Sequence, residues 1–321
     1  MIGFAVRRLG WALVTALIAS IVAFVLFWAI PDVDPSYWLG GARHGTAETR
    51  AIATEKYGLD DPLPVQYVRL MDAILSGDVE CFYNCGSMRS VFLAALPVTL
   101  SLVAGAALIA ILSGVGLAMV CVRYQGRWQD RAITTAAIAA YSLPTLVLAS
   151  LFWAFLAYKW QLFPEEGYVP LTEDPLEWAR HLALPWIAVA LPFAGAYVQI
   201  VRASLLQASG GDWVRTARAK GLSEKRVIRR HVLRNGLIPP VNIWGLDFSH
   251  AFGGYALYVE LIFGLPGVGL LTSQTIDSLD LPPIVALAIY LAIVVVLASA
   301  IVDLIAAWLD PRIRRPGAAA R

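Results

Sequence analysis

Long apolar runs separated by short polar, turn-rich segments make up most of the chain. A hydrocarbon core about 30 Å thick takes roughly 20 apolar residues of helix per crossing. Six runs reach that length: Leu9 to Ile30, Val91 to Val122, Ala132 to Tyr158, His181 to Val201, Leu237 to Phe263 and Pro283 to Leu309. The pattern predicts an all-α integral membrane protein with six transmembrane helices. Several runs exceed the minimum, which permits tilt or an extramembrane turn. Arg7 and Arg8 precede the first run as they would in a secretory signal. That run is too long for an h-region, however, and ends in "FWAIPDVDP" without a small-x-small cleavage site, so it reads as an anchor.

The segments between the runs have their own patterns. In the first, residues 31–90, "VQYVRLMDAIL" sets Val65, Val68, Leu70, Met71 and Leu75 near helical spacing, which predicts a short amphipathic helix packed on the membrane surface. The segment Phe263 to Pro283, "FGLPGVGLLTSQTIDSLDLPP", has no Lys or Arg and is rich in Gly and Pro. Read as non-helical and apolar, it must fold back on protein or line a cavity, because lipid cannot satisfy its backbone. Residues 264–282 are therefore expected to form a lid. Without an internal repeat, a low-complexity tract or a shift in composition, the chain reads as one domain over residues 1–321.

The segment 202–238 breaks the apolar pattern. Its core, "ARAKGLSEKRVIRRHVLRNGLIPP", carries seven cations: Arg218, Lys220, Lys225, Arg226, Arg229, Arg230 and Arg234. Asp212 is placed to N-cap a short helix through "WVRTARAK", Gly221 suits the left-handed position that closes it, and Ser223 can cap a second helix. On that second helix Lys225, Arg226, Arg229, Arg230 and Arg234 fall on one half, and Val227, Ile228, His231, Val232 and Asn235 on the other. A topology signal attracted to anionic lipid would explain the charge. It would not explain a capped, glycine-hinged helix, which reads better as a docking surface for a cytoplasmic partner. Two helices tied to the bilayer at both ends are badly placed to enter a DNA groove, so no nucleic acid is expected.

Composition agrees with the bilayer as solvent. The chain is 59% hydrophobic and 15% charged, with a mean hydropathy of +0.66, which excludes an ordinary soluble domain. With the N-terminus inside, the inner segments hold 18 of the 25 Lys and Arg residues, so both termini are expected in the cytoplasm. Cys81 and Cys85 fall in the outer segment as C-x3-C, where a disulfide is possible. Two thiols without a nearby His pair make a poor zinc site, and no metal site is expected.

Catalytic chemistry finds little support. There is no G-x-x-x-x-G-K-[ST], so the chain is not expected to bind ATP, and no cofactor is expected in it. An intramembrane enzyme would need a pair such as Ser142 or Ser249 with His250. Ser249 and His250 are adjacent, and on a helix they point about 100° apart. Ionisable residues within spans usually face a cavity or a partner. Asp247 and His250, three apart, share a helix face. They either satisfy one another or line a substrate path in which Asp247 attracts a cationic group such as a peptide's amino terminus. Glu260, near the outer end of the fifth run, is a further path residue or a contact to a partner. Asp303 reads as an interhelical polar contact. Pro97, Pro144, Pro185 and Pro192 can bend their spans.

"DWVRTARAKGLSEKRVIRRHVLRNGLIPP" resembles the cytoplasmic coupling loop of permease subunits in binding-protein-dependent ABC importers, most closely the dipeptide, oligopeptide and nickel branch. Four further stretches agree in order: "VRRLGWALVTALIASIVAFVLFWAIP", "YGLDDPLPVQYVRLM", "GGYALYVELIFGLPGVGLLTSQTIDSLDLPPI" and "VDLIAAWLDPRIR". The resemblance implies the type I ABC importer permease fold and a heterodimer with a homologous second permease. It also implies two cytoplasmic ABC ATPase subunits, which would bind ATP and magnesium, and an external solute-binding protein. Asp212, Trp213, Arg215, Thr216, Ala217, Arg218, Ala219, Lys220, Gly221 and Leu222 would then form the coupling contact to the ATPase. The cargo it implies is a peptide, with nickel chelates or glutathione as alternatives. Two features depart from the family pattern. Arg215, Thr216 and Ala217 stand where a Glu-Ala-Ala triplet is general, and Asp247 and His250 stand where uncharged residues are expected.

Overall fold

With no water to bond in hydrocarbon, backbone amides of long apolar runs close their hydrogen bonds within helices. The computed structural model is correspondingly helical, and it describes residues 2–29, 51, 54–79, 86–237, 240, 243–245, 247, 251, 254–278 and 281–309. In chain order the helices are α1 (Ile2–Phe24, continued by a π-turn Val25–Ala29), α2 (Leu63–Ser76), α3 (Met88–Arg123), α4 (Trp128–Ser142) and α5 (Thr145–Phe152, with a π-turn Trp153–Lys159). Next come α6 (Pro175–Ser209), α7 (Asp212–Ala219), α8 (Glu224–Val227), α9 (Leu233–Gly236), α10 (Tyr255–Ile262), α11 (Val268–Ser278) and α12 (Leu281–Leu309).

Among the described residues, four helices are long and apolar enough to cross a membrane: Val6–Trp28, Met88–Arg123, Pro175–Ser209 and Leu281–Leu304. The expected single span from Ala132 to Tyr158 is instead two helices, α4 and α5, bent by 94°. Pro144 is the cause. It disfavours helical backbone at the residue before it, and Leu143 is extended, with φ −87° and ψ 126°. The expected fifth span, Leu237 to Phe263, is interrupted by residues outside the described set (238–239, 241–242, 246, 248–250 and 252–253); its outer end is α10. Pro97, Pro185 and Pro192 lie inside α3 and α6. Cys81 and Cys85 also lie outside the described residues.

The chain divides into two units, residues 1–100 with 252–300 and residues 101–251 with 301–321. In the first, α2 presents Gln66, Leu70 and Ile74 to a core that includes Phe24, Trp28, Met88, Val285 and Ile289. Val65, Val68 and Leu75 of the expected amphipathic helix are exposed on its other side. The register follows a polar anchor that periodicity does not weigh. Gln66 accepts from Trp28 Nε1 at 2.8 Å and donates to the carbonyls of Leu59 and Asp61.

The expected non-helical lid also differs, because α11 occupies most of residues 264–282. The fully buried Glu260 carboxylate sets its start. Thr99 Oγ1 donates to Glu260 Oε1 at 2.6 Å and accepts from Val268 N at 2.8 Å, while the amides of Gly269 and Leu270 donate to Glu260 Oε2 at 2.6 and 3.2 Å. A carboxylate at a helix start satisfies amides that have no intrahelical partner and complements the helix dipole. Any side chain at Gly267 would collide with that carboxylate, so the turn between α10 and α11 closes only around glycine. Glu260, expected on a path or at a partner contact, instead ties this unit together.

In the second unit α4 and α5 pack along α6. Asp174 caps α6 by accepting from the amides of Leu176 and Glu177, with Pro175 pre-set in the first turn. Trp186 Nε1 donates to the carbonyl of Ser101 on α3 at 2.9 Å.

Replacing Glu260 with Ala strips three donors, two of them buried, of their acceptor, each buried one worth about 1–3 kcal/mol. The variant is expected to melt several degrees lower in detergent and to become cleavable between residues 264 and 270. Glu260→Gln, which keeps one acceptor oxygen but loses the other and the charge, should lie between. Unchanged melting and proteolysis would contradict the assigned role.

Candidate functional site

Residues 202–236 fold as the charge and glycine pattern predicts, with local differences. The N-cap of α7 is Gly211, extended at φ −68° and ψ 148° with no side-chain cap; Asp212 stands in the first turn, where its charge still complements the dipole. The α7 face formed by Val214 and Ala217 is buried among Ala118, Val201, Leu205, Ala208, Val227 and Val232, with Leu222 packed against the same cluster. Asp212, Trp213, Arg215, Thr216, Arg218, Ala219, Lys220 and Gly221 are exposed. The helix is thus welded by one face to the ends of α3 and α6, while the other face presents one large aromatic among polar groups.

Gly221 closes the segment at φ +73°, with its amide on the Arg218 carbonyl and the Leu222 amide on the Ala217 carbonyl. Across the turn, Arg218 donates from Nε and Nη2 to both oxygens of Glu224, at 3.2 and 2.7 Å. This fork holds the pKa of the Glu224 carboxyl below its ordinary value and raises that of the Arg218 guanidinium. The clip is exposed, so it fixes geometry more than it adds stability.

The second helix is not uniform. Between α8 and α9 lies a π-turn, Ile228–Val232, whose wider winding carries Val227 and Val232, five apart, to the same cluster. Arg226, Arg230 and Arg234 are exposed, and Val227 and Val232 on the opposite half are buried, while Asn235 of that half is exposed.

One contact at the head of this segment has no counterpart in the motif reading. Arg202, near the end of α6, donates from Nε and Nη2 to the two oxygens of Asp130 on α4, at 2.7 and 2.8 Å, and Gly126 N also donates to Asp130. Asp130 is 3% exposed. Two opposite charges at the margins of apolar runs were the available signal, but nothing in their spacing pairs them.

A small cleft lies within the same unit. Ala106, Ala107 and Ala110 of α3 leave the room; Phe193 and Tyr197 of α6 and Trp244 supply aromatic walls, and Asp247 is the carboxylate among the lining residues. Tyr197 Oη donates to Asp247 Oδ2 at 2.9 Å. His250 and Ser249 lie outside the described residues. Asp247 thus meets a tyrosine from another helix, fifty residues away, a partner that local spacing could not reveal. Among the described residues no cluster of His, Cys, Asp and Glu could hold a metal ion.

Residues 110–315 match the family described as the binding-protein-dependent transport system inner membrane component, and residues 1–103 match its N-terminal membrane component. A relative from Brucella abortus (strain 2308), named as a peptide transport system permease protein, is 31% identical over 315 residues, spanning 98% of this chain and 99% of its own. A glutathione transport system permease protein of Salmonella paratyphi A (strain ATCC 9150 / SARB42) is 31% identical over 317 residues, with 98% and 99% covered. Among solved structures, that of an amino acid ABC transporter with histidines overlays with a TM-score of 0.49 at 17% identity, covering 68% of this chain and 93% of the other. The relatives are named as transport permeases rather than enzymes. With both family segments matched in order across nearly the whole of an all-α membrane protein, this chain belongs to the inner-membrane permease components of binding-protein-dependent ABC transport systems.

Proposed function

We propose that this chain is the transmembrane subunit of an ATP-driven peptide importer, forming half of the translocation path beside a homologous second permease. In this reading it crosses the membrane six times in the type I permease fold, with both termini in the cytoplasm. Two cytoplasmic ATPase subunits bind ATP and magnesium, and an external solute-binding protein delivers the cargo. Residues 212–238 couple the ATPases to the membrane, with Asp212 through Leu222 as the contact. Peptide cargo is supported by the name of the Brucella relative; the Salmonella relative favours glutathione as a second reading.

The observation that carries the coupling role is the two-sided construction of α7. Its inner face is locked through Val214 and Ala217 into the ends of α3 and α6, and its outer face leaves Trp213 half exposed amid Arg215, Arg218 and Lys220. A push on the outer face therefore reaches two long helices without passing through a flexible joint. A half-exposed tryptophan on a short helix that also exposes Arg215 and Arg218 has the make-up of an interface anchor.

Purification of the tagged chain from gently solubilised native membranes should recover ATPase subunits, a sibling permease and a solute-binding protein, identified by mass spectrometry. Recovery of the chain without an ATPase would count against the reading. Gly221→Val forces a β-branched residue into left-handed backbone. It should leave insertion and ATPase recovery intact while lowering uptake per ATP hydrolysed by about 5-fold to 150-fold, the usual span of a coupling free energy. Normal uptake by this variant would remove the hinge from the account.

A further inference from the structure

The cleft lined by α3, α6, Trp244, Asp247 and Ala251 has a chemistry that its place in a permease does not by itself require. It combines three aromatic side chains, Phe193, Tyr197 and Trp244, with one acidic group, Asp247, in an otherwise aliphatic lining of Val103, Ala106 and Val189. The Phe193 and Tyr197 rings stand with centroids 6.4 Å apart, tilted by 32°. Trp244 is fixed by donation from Nε1 to the Ala107 carbonyl at 3.4 Å.

An ionised carboxylate against apolar walls costs free energy unless it is hydrogen-bonded or paired with a cation. The Tyr197 hydroxyl provides one donor. A ring face attracts a cation through its negative quadrupole, and several faces around a carboxylate make a site for a positively charged, partly apolar group. Among the described lining residues Asp247 is the one charged group, so the cleft they form repels a free carboxylate.

We propose that this cleft is a specificity site for an alkylammonium group of the cargo, held by the Asp247 carboxylate and the aromatic faces of Phe193, Tyr197 and Trp244. The inference rests on the reading of the chain as an importer permease and adds the chemical class of what it admits. An amino terminus and a lysine side chain both present that chemistry. A blocked or acidic end does not.

The test uses the native permease complex in lipid nanodiscs and three soluble probes, titrated by saturation-transfer NMR. Alanyl-alanine presents an amino terminus, Nα-acetyl-lysine methylamide presents only a side-chain ammonium, and N-acetyl-alanyl-alanine presents no cation. One or both ammonium probes should bind, the better of them identifying which ammonium is read, and the acetylated dipeptide should bind at least about tenfold more weakly, as expected when a hydrogen bond to a charged group is lost. Asp247→Asn keeps an oxygen that can accept from Tyr197 but removes the charge. It should weaken the ammonium probes by at least about tenfold. Tyr197→Phe breaks the same hydrogen bond and keeps the charge, so it should leave ammonium binding within a few-fold of wild type; a loss as deep as that of Asp247→Asn would mean the pair is only structural. Phe193→Leu provides a reading independent of Asp247, with an expected loss of about two- to fivefold. Equal binding of the acetylated dipeptide, no binding of either ammonium probe, or unchanged binding by both Asp247→Asn and Phe193→Leu would overturn the proposal. ATPase recovery is scored on the same samples. Ammonium binding without an ATPase would sink the importer reading and leave the cleft assigned, and the reverse would sink only the cleft.

Discussion

Hydrocarbon offers a polar group nothing to bond, and each buried group left over costs several kcal/mol. Much of the described architecture follows from how the chain meets that constraint at three carboxylates. Asp130 is satisfied by the fork of Arg202, Glu260 by a threonine hydroxyl and two helix-start amides, and Asp247 by a tyrosine hydroxyl. The first two arrangements are closed, with every oxygen bonded inside the protein, and they fasten helices. Asp247 differs because it borders empty space.

Within the second unit, helix α6 links these features. It carries Phe193 and Tyr197 on the cleft, Arg202 on the clamp to α4, and Val201, Leu205 and Ala208 in the cluster that grips α7. Only Gly210 and Gly211 separate its end from α7. In the proposed reading, displacement of α7 by an ATPase is passed along one rod whose far turns wall the cargo site. The Asp130–Arg202 pair prevents α4 from being left behind. A buried pair of this kind is poor evidence for added stability, but removing one partner is severe, which suits a part that must move as a unit.

Local signals were legible in the sequence and distant ones were not. The short helix, the turn at Gly221 and the outward cations of 202–238 follow from amphipathic spacing and from the one residue type that suits left-handed backbone. Asp212 reads as the cap one position late, because the cap is set by the backbone of Gly211 rather than by the best side chain nearby. The run from Ala132 to Tyr158 reads as one span if apolar length is counted alone, although Pro144 already constrains Leu143. Helix α11 hides behind glycines and prolines because its start is completed by Thr99 and Glu260, which spacing cannot bring together. Asp247 was legible as a charge out of place in an apolar run, but its tyrosine partner was not.

The central claim is that the outer face of α7 meets a cytoplasmic ATPase. The most direct measurement places a photo-crosslinking amino acid at Trp213, irradiates intact cells and identifies the adduct by mass spectrometry. The account predicts a discrete adduct with an ABC ATPase subunit, lost when the crosslinker is moved to the buried Val214. Adducts only to lipid or to the chain itself, in cells that express the transporter, would contradict it.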